Sequence, residues 1–311
     1  MKPYAPNELE QTMKTRNKLT LSLLISAITI PLALATDAKK NTTDYQSKFA
    51  QLESSANGRL GIMAINTTDN QQLEYRQNEL FPFCSTGKVM VVGAILKASE
   101  SNPQLMQRQI HYSKQDTESS GYAPITGQHI VDGMSVSGLS QAAIAYSDNG
   151  AMNQLLHLLG GTQAVTSYAR SIGDNKFNLV RTEPQLNTAI PNDVRDTTTP
   201  AAMAYSLQKL SLGTALNQKQ QVQLQEWLKA NTTGNKRIRA GVPKGWIVGD
   251  KTGTGSYGTT NDVAVIWPPQ AKPIILVVYF TQKEKNAKPN DQIIAQATKI
   301  VIDKFTSQNK K

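Results

Sequence analysis

Residues 83–228 carry helical signals, and the segments on both sides of that stretch carry strand patterns. Ahead of it, residues 59–66 and 72–76 flank the polar stretch 67–71 and read as a hairpin. Behind it, residues 262–267, a Pro268-Pro269 break and residues 273–281 read as two neighbouring antiparallel strands. A closing helix places Ile293, Ile294, Ala297, Ile300, Val301 and Phe305 on one face. Strands at both ends with helices between them call for one antiparallel sheet built from the two chain ends and flanked by helices, with an all-α domain inserted in its middle. The expected class is α/β of the α+β kind, with a site in the cleft between the parts. The sheet part is read as 36–78 plus 229–311 and the helical part as 79–228. Within the latter, Thr199-Pro200 opens a helix with Met203, Leu207 and Leu210 in phase, and Met152, Leu155, Leu156 and Leu159 form another that Gly160-Gly161 stops.

Residues 1–35 are set aside as a targeting segment. Lys14, Arg16 and Lys18 precede an apolar run over 19–34, and Ala33-Leu34-Ala35 supplies a small-residue cleavage signal. The run is 16 residues, short of the ~20 that a spanning helix needs. Cleavage near Ala35, secreted or periplasmic delivery and no membrane anchor after processing are therefore expected; Met1 and Met13 are both candidate starts. Lys and Arg outnumber Asp and Glu by 33 to 23, a net charge of +10 that suits an anionic partner. Scattered lysines, 6% aromatic residues and no nucleic-acid-binding pattern argue against DNA or RNA. One cysteine, and His111, His129 and His157 without ligand spacing, argue against zinc and iron–sulfur sites. No metal or cofactor is expected.

Ser-x-x-Lys occurs at Ser85/Lys88, Ser206/Lys209 and Ser307/Lys310, so the spacing alone carries little. Context separates the three. Ser85 is followed by Lys88 and then by an apolar run over 89–96, the pattern of a buried helix. At the first turn of that helix, free N–H groups favour a developing anion, and a desolvated Lys88 gives up its proton more readily than a free lysine. A hydroxyl with no histidine partner becomes a nucleophile in this way. Cys84 is the rival nucleophile, read instead as a small buried thiol.

Two further polar islands follow, Ser147-Asp148-Asn149 and Lys251-Thr252-Gly253, 62 and then 104 residues on. In this order the three islands resemble the S-x-x-K, S-D-N and K-T-G set of the penicillin-recognising serine acyl-transfer enzymes. Between the second and third lies Arg181-Thr182-Glu183-Pro184-Gln185-Leu186-Asn187, which resembles the R-x-E-P-x-L-N segment of class A β-lactamases, and the stretch to Asp196 resembles their omega loop, here 181–196. Residues 253–262 look closest to the cefotaxime-hydrolysing branch.

The resemblance implies that Ser85 forms an acyl-enzyme, that the Ser85 and Thr254 N–H groups form the oxyanion hole, and that Lys88 or Glu183 takes the serine proton. It further implies that Ser147, bonded to Lys251, relays a proton to the leaving nitrogen, and that Glu183 with Asn187 holds the deacylating water. Asn149 is expected at the substrate's side-chain amide and at Lys88, and Asp148 in a structural role. Arg237, helped by Thr252, Gly253 and Thr254, is expected to clamp the substrate carboxylate, with Tyr122 as a wall of the pocket entrance and Arg239 structural. Arg181 and Asp196 are expected to pair across the loop base. The implied partner is a small β-lactam, handled by a monomer. A chain with Cys84 alone lacks the active-site disulfide of the disulfide-bearing carbapenemases. The other readings are a penicillin-binding D,D-peptidase, which Glu183-Pro184 with Asn187 argues against, and a β-lactam sensor acylated once and trapped. Gly253-x-Gly255-x-x-Gly258 matches a dinucleotide fingerprint but precedes a strand rather than a helix. Residues 250–254 match the phosphorylated-aspartate motif of ion pumps, which need many membrane spans.

Overall fold

The computed structural model describes residues 35–307, with side chains from Asp44 on, and residues 41–307 belong to one compact unit. The targeting segment expected over 1–35 lies, but for Ala35, outside the described residues. Five strands form the main sheet in the order Gln72–Tyr75, Gly58–Asn66, Ile274–Gln282, Thr260–Trp267, Ile247–Thr254, every pair antiparallel. The hairpin near the amino end and the strands near the carboxyl end thus meet in one sheet. Gly58–Asn66 pairs along its whole length with Ile274–Gln282.

Both faces of this sheet are covered, which is why its strands read as apolar runs rather than as clean alternation. Met63, Ile65, Val263, Val265, Ile275, Val277 and Tyr279 face one core, and Ile62, Ala64, Ala264, Ile266, Leu276, Val278 and Phe280 face the other. The first core is closed by the inserted helices, among them Lys88–Ser101, Asn149–Leu159 and Pro200–Ser211. The second is closed by the helices Ala35–Ser55, through Tyr45 and Phe49, and Asp291–Ser307, through Ile293, Ile294, Ala297, Val301, Ile302 and Phe305. Thr199 caps the helix Pro200–Ser211 by accepting the Ala202 N–H at 3.1 Å, as the Thr-Pro start predicts. The helix Ala35–Ser55 went unread in the sequence, because it has few apolar residues and a weak stripe.

The segment around Ser85 lies where sheet and helices meet. Asn261 on a sheet strand donates to the carbonyls of Pro82 at 2.7 Å and Phe83 at 3.2 Å, and Phe83 stacks on Phe177 with ring centroids 4.7 Å apart. Leu276 is fully buried at the sheet centre. Leu276→Ala is expected to cost about 2–5 kcal/mol, read as a lower urea midpoint at unchanged slope.

Candidate active site

Phe81-Pro82 pairs with Thr197-Thr198, and Cys84–Gly87 then form one 3-10 turn that feeds the helix Lys88–Ser101. Ser85 therefore stands just ahead of the α-helix rather than within its first turn. The cause is Cys84, whose φ of +49° breaks the helical path at that point. The Cys84 thiol is fully buried, and that burial, with the nearby Glu183 carboxylate, pushes its ionisation up. It stays a packed thiol and not a nucleophile.

Lys88 is completely buried, and its ammonium donates to Ser85 Oγ at 2.6 Å, Asn149 Oδ1 at 2.8 Å and Glu183 Oε1 at 2.5 Å. Three N–H groups meet three acceptors drawn from three separate segments. The Ser85 hydroxyl in turn faces Glu183 Oε1 at 3.3 Å. Both Lys88 and Glu183 thus reach the Ser85 hydroxyl. Asn149 is fixed from its other end by Nδ2, which donates to the Ser120 carbonyl at 2.9 Å.

Glu183 is held from every side. Asn187 Nδ2 donates to its Oε2. Asn153 accepts the Glu183 N–H at 3.0 Å and donates to the Glu183 carbonyl at 2.9 Å. Sequence reading missed Asn153. Its signal was present: an amide one turn beyond Asn149, beside the apolar stripe of Met152, Leu155 and Leu156. The loop base is tied by Arg181, whose Nε donates to Asp196 Oδ2 at 2.5 Å while NH1 donates to Thr188 Oγ1 at 2.8 Å. Asp196 Oδ1 also accepts the N–H groups of Val180 and Arg181. Asp196 is fully buried, so this pair is no surface contact.

A second cluster faces the first. Ser147, at φ +59°, breaks the chain between two helices. Asp148 then caps the helix Asn149–Leu159 through Ala151 N–H and binds Ile125 N–H, Thr126 N–H and the Thr126 hydroxyl, a structural role as expected. Lys251, on the edge strand Ile247–Thr254, donates to Ser147 Oγ at 2.9 Å and to the Thr252 carbonyl at 2.8 Å. Gly253 lets this strand press against the turn around Ser85, since a Cβ there would lie 2.8 Å from the Phe83 carbonyl oxygen. Arg237 donates to Thr254 Oγ1 at 2.7 Å, to the Gly253 and Asn261 carbonyls at 2.8 Å each, and to Asp291 at 2.7 Å. Arg239 pairs with buried Asp250 at 2.5 Å, away from the first cluster. Tyr122 is 52% exposed, and its carbonyl accepts the Asn149 N–H at 2.8 Å.

Burial, reinforced by the Lys88 charge, holds Lys251 well below the ordinary lysine range, against the opposing pull of Asp250 and Asp262. Burial, and the Asp250 carboxylate beside it, push Asp262 well above the ordinary carboxylate range. Among the described residues no group of side chains has the makings of a metal site, and no helix is long and apolar enough to cross a membrane.

Residues 44–305 match the beta-lactamase enzyme family. The chain is 52% identical to the beta-lactamase OXY-1 of Klebsiella oxytoca over 90% of its length and 96% of that protein's. It is 51% identical to the beta-lactamase CTX-M-97 of Escherichia coli over 92% of its length and 95% of that protein's. The chain belongs to the class A serine β-lactamases. A beta-lactamase crystal structure from Desulfarculus baarsii superposes with a TM-score of 0.84 at 48% identity, covering 85% of this chain and 98% of that one. A class A β-lactamase close to the CTX-M branch is the reading that holds over the peptidase and sensor alternatives.

Two expectations follow for this β-lactamase. Arg181→Ala leaves the buried Asp196 carboxylate without its cation and is expected to cost about 3–5 kcal/mol by urea denaturation. As pH rises, Lys251 loses its proton below the ~10.4 of a free lysine, and with it the charge and one donor at Ser147. The alkaline limb of the kcat/KM profile is expected to move to higher pH in any active Lys251→Arg enzyme, because arginine keeps its proton throughout.

Proposed function

We propose that this β-lactamase hydrolyses the lactam amide of penicillins and cephalosporins through an ester on Ser85. Ser85 Oγ attacks the lactam carbonyl while its proton passes to Glu183, the acceptor its hydroxyl faces when all three N–H groups of Lys88 are already donated. The Ser85 and Thr254 N–H groups receive the oxyanion, each worth roughly 3–4 kcal/mol of barrier. As the C–N bond breaks, Ser147 gives its proton to the lactam nitrogen and is resupplied by Lys251; the proton taken by Glu183 then passes through solvent to Lys251, so that both groups are restored before deacylation. A water deprotonated by Glu183 and steadied by Asn187 then attacks the ester, and the proton returns to Ser85 Oγ as the C–O bond breaks. Arg237, Thr252, Gly253 and Thr254 receive the ring carboxylate, Asn149 the substrate's side-chain amide, and Tyr122 walls the entrance.

The observation that carries this reading is the position of Glu183. It reaches the nucleophile and its lysine with one oxygen, while the other is held by Asn187 on the same loop. A carboxylate so placed serves deacylation, the step a transpeptidase must suppress. All these residues belong to one chain, which supports a monomer. The basic and apolar segment over 13–35 supports export with cleavage near Ala35 and no anchor afterwards. The same reading divides the chain into a sheet part, 36–78 with 229–311, and a helical part, 79–228, with the site between them.

The test is a chromogenic cephalosporin with parent and Glu183→Ala enzymes, following burst and steady state. The parent is expected to turn over continuously. The variant, in which only Lys88 is left to take the serine proton, is expected to release one equivalent more slowly than the parent and then to turn over roughly 10²–10⁴ more slowly. A single stoichiometric burst from the parent overturns the reading.

A further inference from the structure

Proton accounting along the edge strand points to a residue outside all three motifs. Thr233 lies exposed in the turn after the helix Gln218–Lys229, with its Oγ1 2.5 Å from Thr252 Oγ1. The same hydroxyl donates to Asn231 Oδ1 at 2.9 Å, an atom that also accepts the Thr233 N–H at 3.1 Å. Asn231 Nδ2 reaches on to Asp250 Oδ2 at 2.5 Å. A hydroxyl has one proton. With the Thr233 proton given to Asn231, the contact between the two hydroxyls is filled by the proton of Thr252. In this arrangement Thr252 has none to offer an anion in the cleft.

The chain can run the other way. Thr233 turns its proton to Thr252, and Thr252 turns its own to the anion. Asn231 Oδ1 keeps the Thr233 N–H, so no acceptor is stranded. The far end stays put, because Asp250 is tied by Arg239 and Asn231 and the turn is pressed onto it: a Cβ at Gly234 would fall 1.9 Å from Asp250 Oδ2. Thr254 needs no such reversal, since Arg237 fills an acceptor site on its Oγ1 and leaves its proton free.

We propose that Thr233 is a positioning residue for the substrate's ring carboxylate, acting through Thr252 by reversal of this hydroxyl chain. The proposal rests on the carboxylate-clamp reading of Thr252, Thr254 and Arg237 above. A full negative charge drives the reversal and a neutral ester does not, so Thr233 contributes to the preference for acid over ester.

The experiment compares a chromogenic cephalosporin carrying the free ring carboxylate with its methyl ester, using parent, Thr233→Val and Thr233→Ser enzymes, each checked for an unchanged melting temperature. The parent is expected to prefer the acid. Thr233→Val is expected to raise KM for the acid roughly tenfold, with kcat and the ester's kcat/KM unchanged, and Thr233→Ser to restore the parent's preference. An acid-to-ester ratio unchanged by Thr233→Val overturns the proposal, as does an equal loss on both substrates. A parent that does not distinguish acid from ester overturns the clamp reading along with it, while its turnover of either substrate leaves the proposed hydrolysis standing.

Discussion

The arrangement of the site depends on one buried ammonium. Lys88 has no exposed surface, and a cation in that position is costly unless its donors are met. Its partners come from the nucleophile turn, the start of the helix Asn149–Leu159 and the omega loop, so satisfying the charge draws three distant segments to one point. The tightness of the loop follows from this. Glu183 can meet Lys88 only if its backbone is fixed, and Asn153 fixes both its N–H and its carbonyl while the Arg181–Asp196 pair closes the base. The acid that the hydrolytic reading requires is also the counter-ion of the lysine.

The edge strand brings a second charge that is handled differently. Lys251 is as buried as Lys88, but among the described residues it meets the Ser147 hydroxyl and the Thr252 carbonyl and no carboxylate within hydrogen-bond distance. Asp250 is engaged by Arg239 and Asn231, and the Asp262 carboxyl is driven toward its neutral form. Lys251 is thus compensated at a distance and inclined to release its proton, as the proposed resupply of Ser147 requires. Lys88 is saturated, and Lys251 is left wanting.

The parts of this plan that a sequence can show are those with periodicity or punctuation. The hairpin, the two late strands, the Thr199-Pro200 start and the closing helix all appear where pattern places them, because each is a local consequence of turn residues and of one apolar face. The three motifs were legible for another reason: together with Glu183 and Asn187 they match a family pattern. What escaped is long-range polar pairing. Asn153 and Thr233 belong to no motif, and their roles exist only because the fold brings Glu183 and Thr252 to them. Position corrected one reading: Ser85 stands in a 3-10 turn ahead of the α-helix, after the left-handed Cys84.

The pairing of Gly58–Asn66 with Ile274–Gln282 has a consequence in time. The Thr67 hydroxyl bonds the Pro273 carbonyl across 206 residues of chain, and Asn261 pins the carbonyls just before Ser85. Neither contact can form before its carboxyl-end partner has been made, so the turn around Ser85 acquires its support only late in synthesis. Until then Gly58–Asn66 has only its hairpin partner Gln72–Tyr75 beside it, and the cluster around Lys88 lacks the strand that braces it. A molecule built in this order becomes competent late.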